Sequence, residues 1–331
     1  DEPGLERVSD GEHSDRGAAW HPDGSRLYFL SERHPDADLT FVNDLFEITL
    51  ATGALRRLTG TTHDFAAPCP SPDGSHIAVG RTDTRAFPAS AGIASIDAAT
   101  GELTDLTAGL DRDCDPSSVR WQGESAVDVL VHRDGRVEVV RLGLDGSAPQ
   151  ALLTGAVQVA AFDSNETGWA AAVAAPDRLP MLIGGTAPLS AATQVSFAPG
   201  TNAPTSADLL HDPNETLRSE RQLVAPAYRP VQVSPEVTVD AWLGLPPGVS
   251  ESATAEVPLI IWLQGGGTQY GYQFSHEVQT LIAAGYAVAY LNARGSAGYG
   301  TSWMRSVSAP AATESGTGWG SVDVDDVAAV L

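Results

Sequence analysis

A chain of 331 residues with 42% hydrophobic and 18% charged residues has ordinary globular composition and is long enough for two domains with separate cores. Its net charge of -23 argues against nucleic acid or anionic membranes as partners, and the absence of lysine excludes a P-loop lysine or a Schiff-base lysine. The two cysteines are too few for a disulfide scaffold and lack the spacing of a zinc site.

The first part of the chain contains an internal repeat. One marker is an Asp-Gly turn followed by an apolar stretch, and the other is an Ala-Thr-Gly turn followed by another such stretch. The Asp-Gly turns lie at 23–24 and 73–74, and the Ala-Thr-Gly turns lie at 51–53 and 99–101. The period of about 50 residues falls in the range of propeller blades. A third, degraded copy begins at Val119, and a fourth begins near Val157 and fades after Ala187.

These turns predict a β-propeller in residues 1–205. Asp-Gly supplies the positive φ at which two strands reverse, and short β-branched runs with almost no helical periodicity indicate an all-β array. The alternative is a β-sandwich whose turn spacing is coincidental. About four blades are counted, which would leave an open arc, so further blades are expected to precede this sequence.

A polar, proline-containing segment at 206–236 is interpreted as a connector, and after it the pattern changes. An alternating strand, a buried apolar strand, a helix and a second buried strand follow one another. They are predicted at 237–245, 257–263, 274–284 and 286–291. Strand, helix and strand in this order predict a doubly wound α/β sheet in residues 237–331.

A glycine turn, Gln264-Gly265-Gly266-Gly267, comes directly after the buried strand. Glycines at this place let backbone N–H groups point into a cleft, which is how acyl-transfer enzymes stabilise a tetrahedral oxyanion. Tight glycine turns after strands are also common, so the turn alone leaves both interpretations open.

The sequence farther along resembles the prolyl oligopeptidase family, especially its acylaminoacyl-peptidase and dipeptidyl-peptidase branches. The motifs that carry the resemblance are Asn-Ala-Arg-Gly-Ser-Ala-Gly-Tyr-Gly at 292–300, Gly-Trp-Gly at 318–320 and Asp-Val-Asp-Asp-Val at 323–327. The likeness is close over 237–331 and, upstream, concerns only architecture and repeat style. It implies the later blades of a β-propeller followed by the N-terminal part of an α/β-hydrolase domain.

The resemblance also implies roles for individual residues. The backbone N–H of Gly266 would be an oxyanion donor, while Gln264 and Gly267 replace the family's usual His and Pro in this loop. These two residues, with Arg294 and Tyr299, are candidates for substrate binding. Arg294 would either bind a substrate carbonyl or carboxylate, or pin its own loop by bonding nearby carbonyls.

The nucleophile is expected elsewhere. In the family a helix, predicted here from Asp323, leads to a strand and then to a Gly-x-Ser-x-Gly elbow, and no such motif occurs in the 331 residues. The serine, the acid and the histidine are therefore predicted to lie beyond Leu331, and this chain alone is predicted to be inert. The three acidic residues that open the helix are interpreted as stabilising its dipole.

The resemblance implies that the parent protein hydrolyses short peptides through a Ser-His-Asp acyl-enzyme mechanism. An esterase or acylaminoacyl hydrolase of the same superfamily is one alternative, and a non-catalytic propeller binding protein is another. We expect a short peptide as the partner, with no nucleic acid, membrane, cofactor or metal. The expected location is cytoplasmic by default, or secreted if an upstream signal was removed.

Overall fold

The computed structural model describes residues 4, 7–9, 11, 13–86, 88–190, 192–197, 204–250, 252, 257–263, 267–308 and 318–330. The chain forms two compact units, one of Asp1–Val129 with Arg141–Pro149 and one of Leu130–Val140 with Gln150–Leu331.

The first unit contains two four-stranded antiparallel meanders, β1 to β4 and β5 to β8. Its elements are β1 (Asp15–Trp20), β2 (Arg26–Ser31), α1 (Ala37–Thr40), β3 (Asp44–Thr49), β4 (Ala54–Arg57), β5 (Asp64–Pro70), β6 (His76–Thr82), a 3-10 turn (Thr84–Ala86), β7 (Gly92–Asp97), β8 (Leu103–Asp105) and β9 (Asp113–Gln122). Most residues of the middle strands of each meander are buried, as expected of strands covered on both faces.

The Asp-Gly turns of the two meanders have the same geometry. The amide of Gly24 donates to the carbonyl of His21 at 2.9 Å, and the amide of Gly74 donates to the carbonyl of Ser71 at 2.9 Å. Both glycines have positive φ, 72° and 74°. The predicted repeat is thus present as two structurally equivalent copies, since each turn joins the first and second strands of its meander.

The second unit begins with the tip of a hairpin formed by β10 (Ala126–Arg133) and β11 (Arg136–Gly143). The strands that follow are β12 (Gln150–Gly155), β13 (Gln158–Asn165), β14 (Gly168–Ala175), β15 (Arg178–Gly185), β16 (Thr193–Val195) and β17 (Asp208–His211). In the sheet order β16-β12-β11-β13-β14-β15-β17, strands β13, β14, β15 and β17 form another antiparallel meander. Successive four-stranded meanders make the N-terminal region propeller-like.

The predicted connector, 206–236, contains regular structure. Strand β17 pairs with β15 and is followed by α2 (Glu215–Glu220), β18 (Ala227–Tyr228) and β19 (Val231–Ser234). The two compact units divide the chain at places other than the predicted domain boundaries. The predicted boundaries stay predictions.

The last part of the second unit combines a small sheet with helices. Its elements are β20 (Val237–Val239), β21 (Ala241–Gly244), β22 (Leu259–Trp262), α3 (His276–Ala283), β23 (Ala287–Leu291), α4 (Thr301–Arg305) and α5 (Val322–Val330). The sheet order is β18-β21-β23-β22, with β22 and β23 parallel and the other pairs antiparallel. The rings of Trp242 and Tyr290 stack at 5.5 Å in its core, and Val278 and Ile282 of α3 pack against them.

The predicted strands and helix of this part are confirmed, with one exception. The amide of Val278 donates to Ser275 Oγ at 3.3 Å, so Ser275 caps α3, which begins two residues later than the predicted helix. The single strand predicted over 237–245 is wrong, because it is divided at Asp240 into β20 and β21. No helix in the described ranges is long and apolar enough to cross a membrane.

Candidate functional site

Two parallel strands end side by side in the small sheet. Strand β22 pairs with β23 along its whole length, ending with Trp262 opposite Tyr290. The chain that leaves β22, residues 263–275, is named the β22 loop, and the chain that leaves β23, residues 292–300, is named the β23 loop. Ligands of open α/β sheets bind beyond the carboxyl ends of parallel strands, so these two loops form the candidate site.

Of the predicted glycine turn, 264–267, the structure describes Gly267 alone. Gln264 and Gly266 lie outside the described residues, and their predicted roles stay predictions. The amide of Gly267 donates to the carbonyl of Gly295 at 3.1 Å. Gly267 therefore joins the β22 loop to the β23 loop through its backbone.

Asn292 is the buried link between the two loops. Its side chain is fully buried, and its Oδ1 accepts from the amide of Tyr270 at 2.7 Å. Its Nδ2 donates to the carbonyl of Tyr270 at 2.9 Å and to the hydroxyl of Tyr299 at 2.8 Å. Because both backbone polar groups of Tyr270 bind one side chain, this part of the β22 loop is fixed beside the β23 loop.

Tyr299 and Tyr228 converge on one carboxylate. The hydroxyl of Tyr299 donates to Asp240 Oδ2 at 2.7 Å, and that of Tyr228 donates to Asp240 Oδ1 at 2.6 Å. Burial, and then the charge of Asp240, raise the pKa of Tyr299 far above its ordinary value, so the phenol stays protonated. The hydroxyl proton of Tyr299 is already used in this bond, which makes the residue a support of the β23 loop in this structure.

Arg294 binds the last helix. Its Nη2 donates to Asp326 Oδ1 at 2.7 Å and to the carbonyl of Val322 at 3.2 Å, and its backbone amide donates to Asp326 Oδ2 at 2.8 Å. Its Nε lies 3.1 Å from both oxygens of the fully buried Asp326. These hydrogen bonds raise the pKa of Arg294. Arg294 is predicted either to bind substrate or to pin its own loop through nearby carbonyls. This geometry corresponds to pinning the loop, with the carboxylate of Asp326 as the main acceptor.

Two of the three acidic residues of α5 make different contacts. Asp323 accepts from the amides of Gly320 and Ser321, at 3.2 and 2.7 Å, so it binds the backbone of the turn that leads into the helix. Asp326 makes the ion pair with Arg294 instead. The interpretation of Asp323, Asp325 and Asp326 as dipole-stabilising residues stays a prediction, and the sequence pattern gives no sign of the partner of Asp326.

A small cleft of about 110 Å³ opens between the β23 loop and α5. Leu263 and Trp319 at its rim are 56% and 66% exposed. Its lining is mixed, with the apolar side chains of Leu291 and Val327 beside Arg294. In the described part of the chain, no group of three or more His, Cys, Asp or Glu residues is arranged to hold a metal ion.

Sequence reasoning missed two side chains that support the loops. Asp240 accepts from Tyr299 of the β23 loop, and Gln269, a residue of the β22 loop, donates to the carbonyl of Arg136. Asp240 lies in the middle of an alternating run that predicts an uninterrupted strand, and an Asp in such a run is the one signal of a break. Gln269 has no comparable signal, because its partners lie more than a hundred positions away.

Comparison with known proteins relates the last part of the chain to one family. Residues 272–331 match the model of the "Prolyl oligopeptidase family". The chain is also similar to the "Uncharacterized peptidase YuxL" of Bacillus subtilis (strain 168), with 39% identity over 92 residues, which is 28% of this chain and 12% of that relative.

Solved structures share the fold. The acylaminoacyl peptidase of Pyrococcus horikoshii matches with a TM-score of 0.68 and 19% identity over 88% of this chain and 41% of its own. A puromycin hydrolase matches with a TM-score of 0.61 and 18% identity over 98% of this chain and 47% of its own. A puromycin-hydrolyzing peptidase of Mycobacterium tuberculosis matches with a TM-score of 0.57 and 17% identity over 96% of this chain and 54% of its own.

The chain thus spans about half or less of the length of these proteins. At such low identity the structural likeness concerns the fold alone. The predicted resemblance is confirmed over residues 272–331, which match the model of the prolyl oligopeptidase family.

Proposed function

We propose that the protein containing this chain hydrolyses peptide bonds of short peptides through a serine acyl-enzyme mechanism. One observation carries the proposal. The family's sequence in 272–331 folds into the β23 loop and α5 at the carboxyl ends of two parallel strands, where the buried Asn292 joins it to the β22 loop. This is the edge at which an α/β enzyme builds its active site.

The proposed architecture is a propeller followed by the first part of an α/β-hydrolase domain. Its support is the order of β22, α3 and β23, in which a helix connects two parallel neighbouring strands. A parallel pair needs such a crossover, and the crossover is typical of a doubly wound sheet. The antiparallel strand β21 on the other side of β23 extends the same sheet.

In the proposed mechanism, the amide of Gly266 donates to the oxyanion. A serine hydroxyl attacks the peptide carbonyl while a histidine takes its proton, and the carbonyl oxygen gains the negative charge that a backbone N–H stabilises. The C–N bond then breaks as the histidine returns the proton to the leaving amine. Water hydrolyses the acyl-enzyme by the same route, which restores the serine.

The nucleophile and its partners are proposed to lie outside these 331 residues. No Gly-x-Ser-x-Gly occurs among them, and in α/β-hydrolases the triad follows the elbow in the order Ser, Asp or Glu, His. Arg294 and Tyr299 are proposed to support the β23 loop, since both side chains are already engaged with carboxylates. Gln264 and Gly267 remain candidates for contact with the substrate.

The test is turnover by the whole protein, meaning the gene product that contains this chain. We expect it to release p-nitroaniline from aminoacyl and short peptidyl p-nitroanilides. The bond that breaks in these substrates is an amide, so its hydrolysis requires the protonation of the leaving amine that the proposed histidine supplies. The 331-residue chain, purified in parallel, should release none. Turnover of p-nitrophenyl esters without any p-nitroanilide turnover would replace the peptidase with an esterase, and no turnover of either would favour a binding protein.

A further inference from the structure

The tip of the β10–β11 hairpin, residues 132–136, contacts both loops of the candidate site within one compact unit. The amide of Asp134 donates to the carbonyl of Gly298 in the β23 loop at 3.1 Å. The amide of Tyr272 in the β22 loop donates to the carbonyl of Gly135 at 2.9 Å. The hairpin tip is therefore a third segment of the site, although the other two lie far from it in the sequence.

Gln269 binds the hairpin tip with both ends of its side-chain amide. Its Oε1 accepts from the amide of Gly135 at 3.3 Å, and its Nε2 donates to the carbonyl of Arg136 at 2.9 Å. The same Nε2 lies 3.4 Å from Nδ1 of His132. A glutamine used in this way acts as a bridge between two backbones, and its loss would leave the backbone groups of both hairpin residues without these partners.

The junction is closely packed, so the position of the tip is narrowly defined. Gly135 has a φ of 76°, and a Cβ placed on it would lie 2.7 Å from Cη2 of Trp242 and 3.1 Å from the carbonyl of Tyr270. The guanidinium of Arg136 lies 5.6 Å from the ring centre of Tyr272. Interiors of this density cannot absorb an added methyl group without movement. A methyl group added at the tip will therefore displace atoms of the β22 loop.

We propose that Gln269 is a positioning residue, which holds the β22 loop against the hairpin tip in the geometry that the transition state requires. The inference rests on the proposed function, since the β22 loop carries the proposed oxyanion donor. Gln269 acts through the backbone and touches no reacting atom. Donors to an oxyanion act only when they are held in place beforehand, and a misplacement of about 1 Å can cost roughly 100-fold in rate.

The test compares Gln269→Met with a matched glutamine elsewhere. Gln279 on α3 is 9% exposed, accepts from the amide of Val224 at 3.0 Å and donates to the carbonyls of Val224 and Pro176 at 2.7 and 3.0 Å. It thus bridges distant backbones as Gln269 does, but contacts neither loop by these bonds. In the whole protein, Gln269→Met should lower kcat by about 10- to 100-fold with KM nearly unchanged. Gln279→Met should lower the melting temperature and leave kcat within about twofold of wild type.

A second pair of variants approaches the junction from the hairpin. Gly135→Ala adds a methyl group against Trp242, whereas Gly123→Ala adds one at a glycine of similar φ, 61°, with no atom within 4 Å. We expect Gly135→Ala to reproduce the loss of kcat and Gly123→Ala to keep it. If Gln269→Met does not fold, this pair tests whether the junction between the hairpin tip and the β22 loop determines kcat.

The rate at which a fluorophosphonate labels the protein distinguishes a failure of the proposed function from a failure of the inference. An unlabelled, inactive wild type would refute the proposed function, and the inference with it. A labelled wild type together with wild-type kcat in Gln269→Met, or an equal loss of kcat in Gln279→Met, would refute the inference alone. A rise in KM without a fall in kcat would refute it as well, because positioning of an oxyanion donor acts on the transition state.

Discussion

Replacing Asp326 by alanine is expected to lower the free energy of unfolding by about 3–5 kcal/mol, the usual cost of breaking a buried ion pair from one side. The carboxylate is fully buried, and it accepts from Nε, Nη2 and the backbone amide of Arg294. The variant leaves a partly buried guanidinium and an amide without that acceptor. Urea denaturation of the purified protein, followed by tryptophan fluorescence, measures the difference.

The control removes both charges. Arg294→Met combined with Asp326→Leu should be less destabilised than Asp326→Ala, because neither buried partner is then left alone. A loss below about 1 kcal/mol in Asp326→Ala would contradict the account, since exposed ion pairs behave in that way. If Arg294 instead bound substrate, Asp326→Ala would leave stability almost unchanged while it altered KM.

The second large effect is expected at Asn292. Asn292→Ala should cost about 3 kcal/mol of unfolding free energy, because it leaves the buried amide and carbonyl of Tyr270 without partners, at about 1–3 kcal/mol for each such group. The hydroxyl of Tyr299 also loses a donor. We expect kcat of the whole protein to fall with stability, since this side chain joins the two loops of the site.

Asn165 provides the matched control. It is the exposed last residue of β13, and its Oδ1 accepts from the amides of Thr167 and Gly168, at 2.8 and 3.1 Å. Asn165→Ala should cost about 1 kcal/mol or less, because water can replace those bonds, and it should keep kcat. Equal losses of stability in the two variants would show that burial of Asn292 contributes nothing.

Local patterns predicted much of the fold. The Asp-Gly turns at Gly24 and Gly74 could be predicted, because the positive φ and the strand reversal are properties of the turn sequence itself. Helix α3 could be predicted in the same way, from the helical spacing of its apolar residues and from Gly285 after its end. Such features depend on neighbours a few positions away, which a single sequence displays.

The support of the site could not be predicted in the same way. Asp240, Gln269 and Asp326 bind partners that lie 59, 134 and 32 positions away, so their roles depend on tertiary packing. Periodicity places Asp326 in the first turns of α5 but says nothing about what faces it. Motif resemblance directed attention to Arg294 and Tyr299, yet it did not reveal that both side chains bind carboxylates within the chain.

The central claim is that a backbone amide of the turn after β22 stabilises the oxyanion formed by a nucleophile outside these residues. Its most direct test is the crystal structure of the whole protein after reaction with a fluorophosphonate. The account predicts phosphorus bonded to a serine encoded after Leu331, with a phosphonyl oxygen about 2.7–3.1 Å from the amide nitrogen of Gly266. Phosphorus bonded to any of residues 1–331, or an oxygen that contacts other donors and not Gly266, would contradict it.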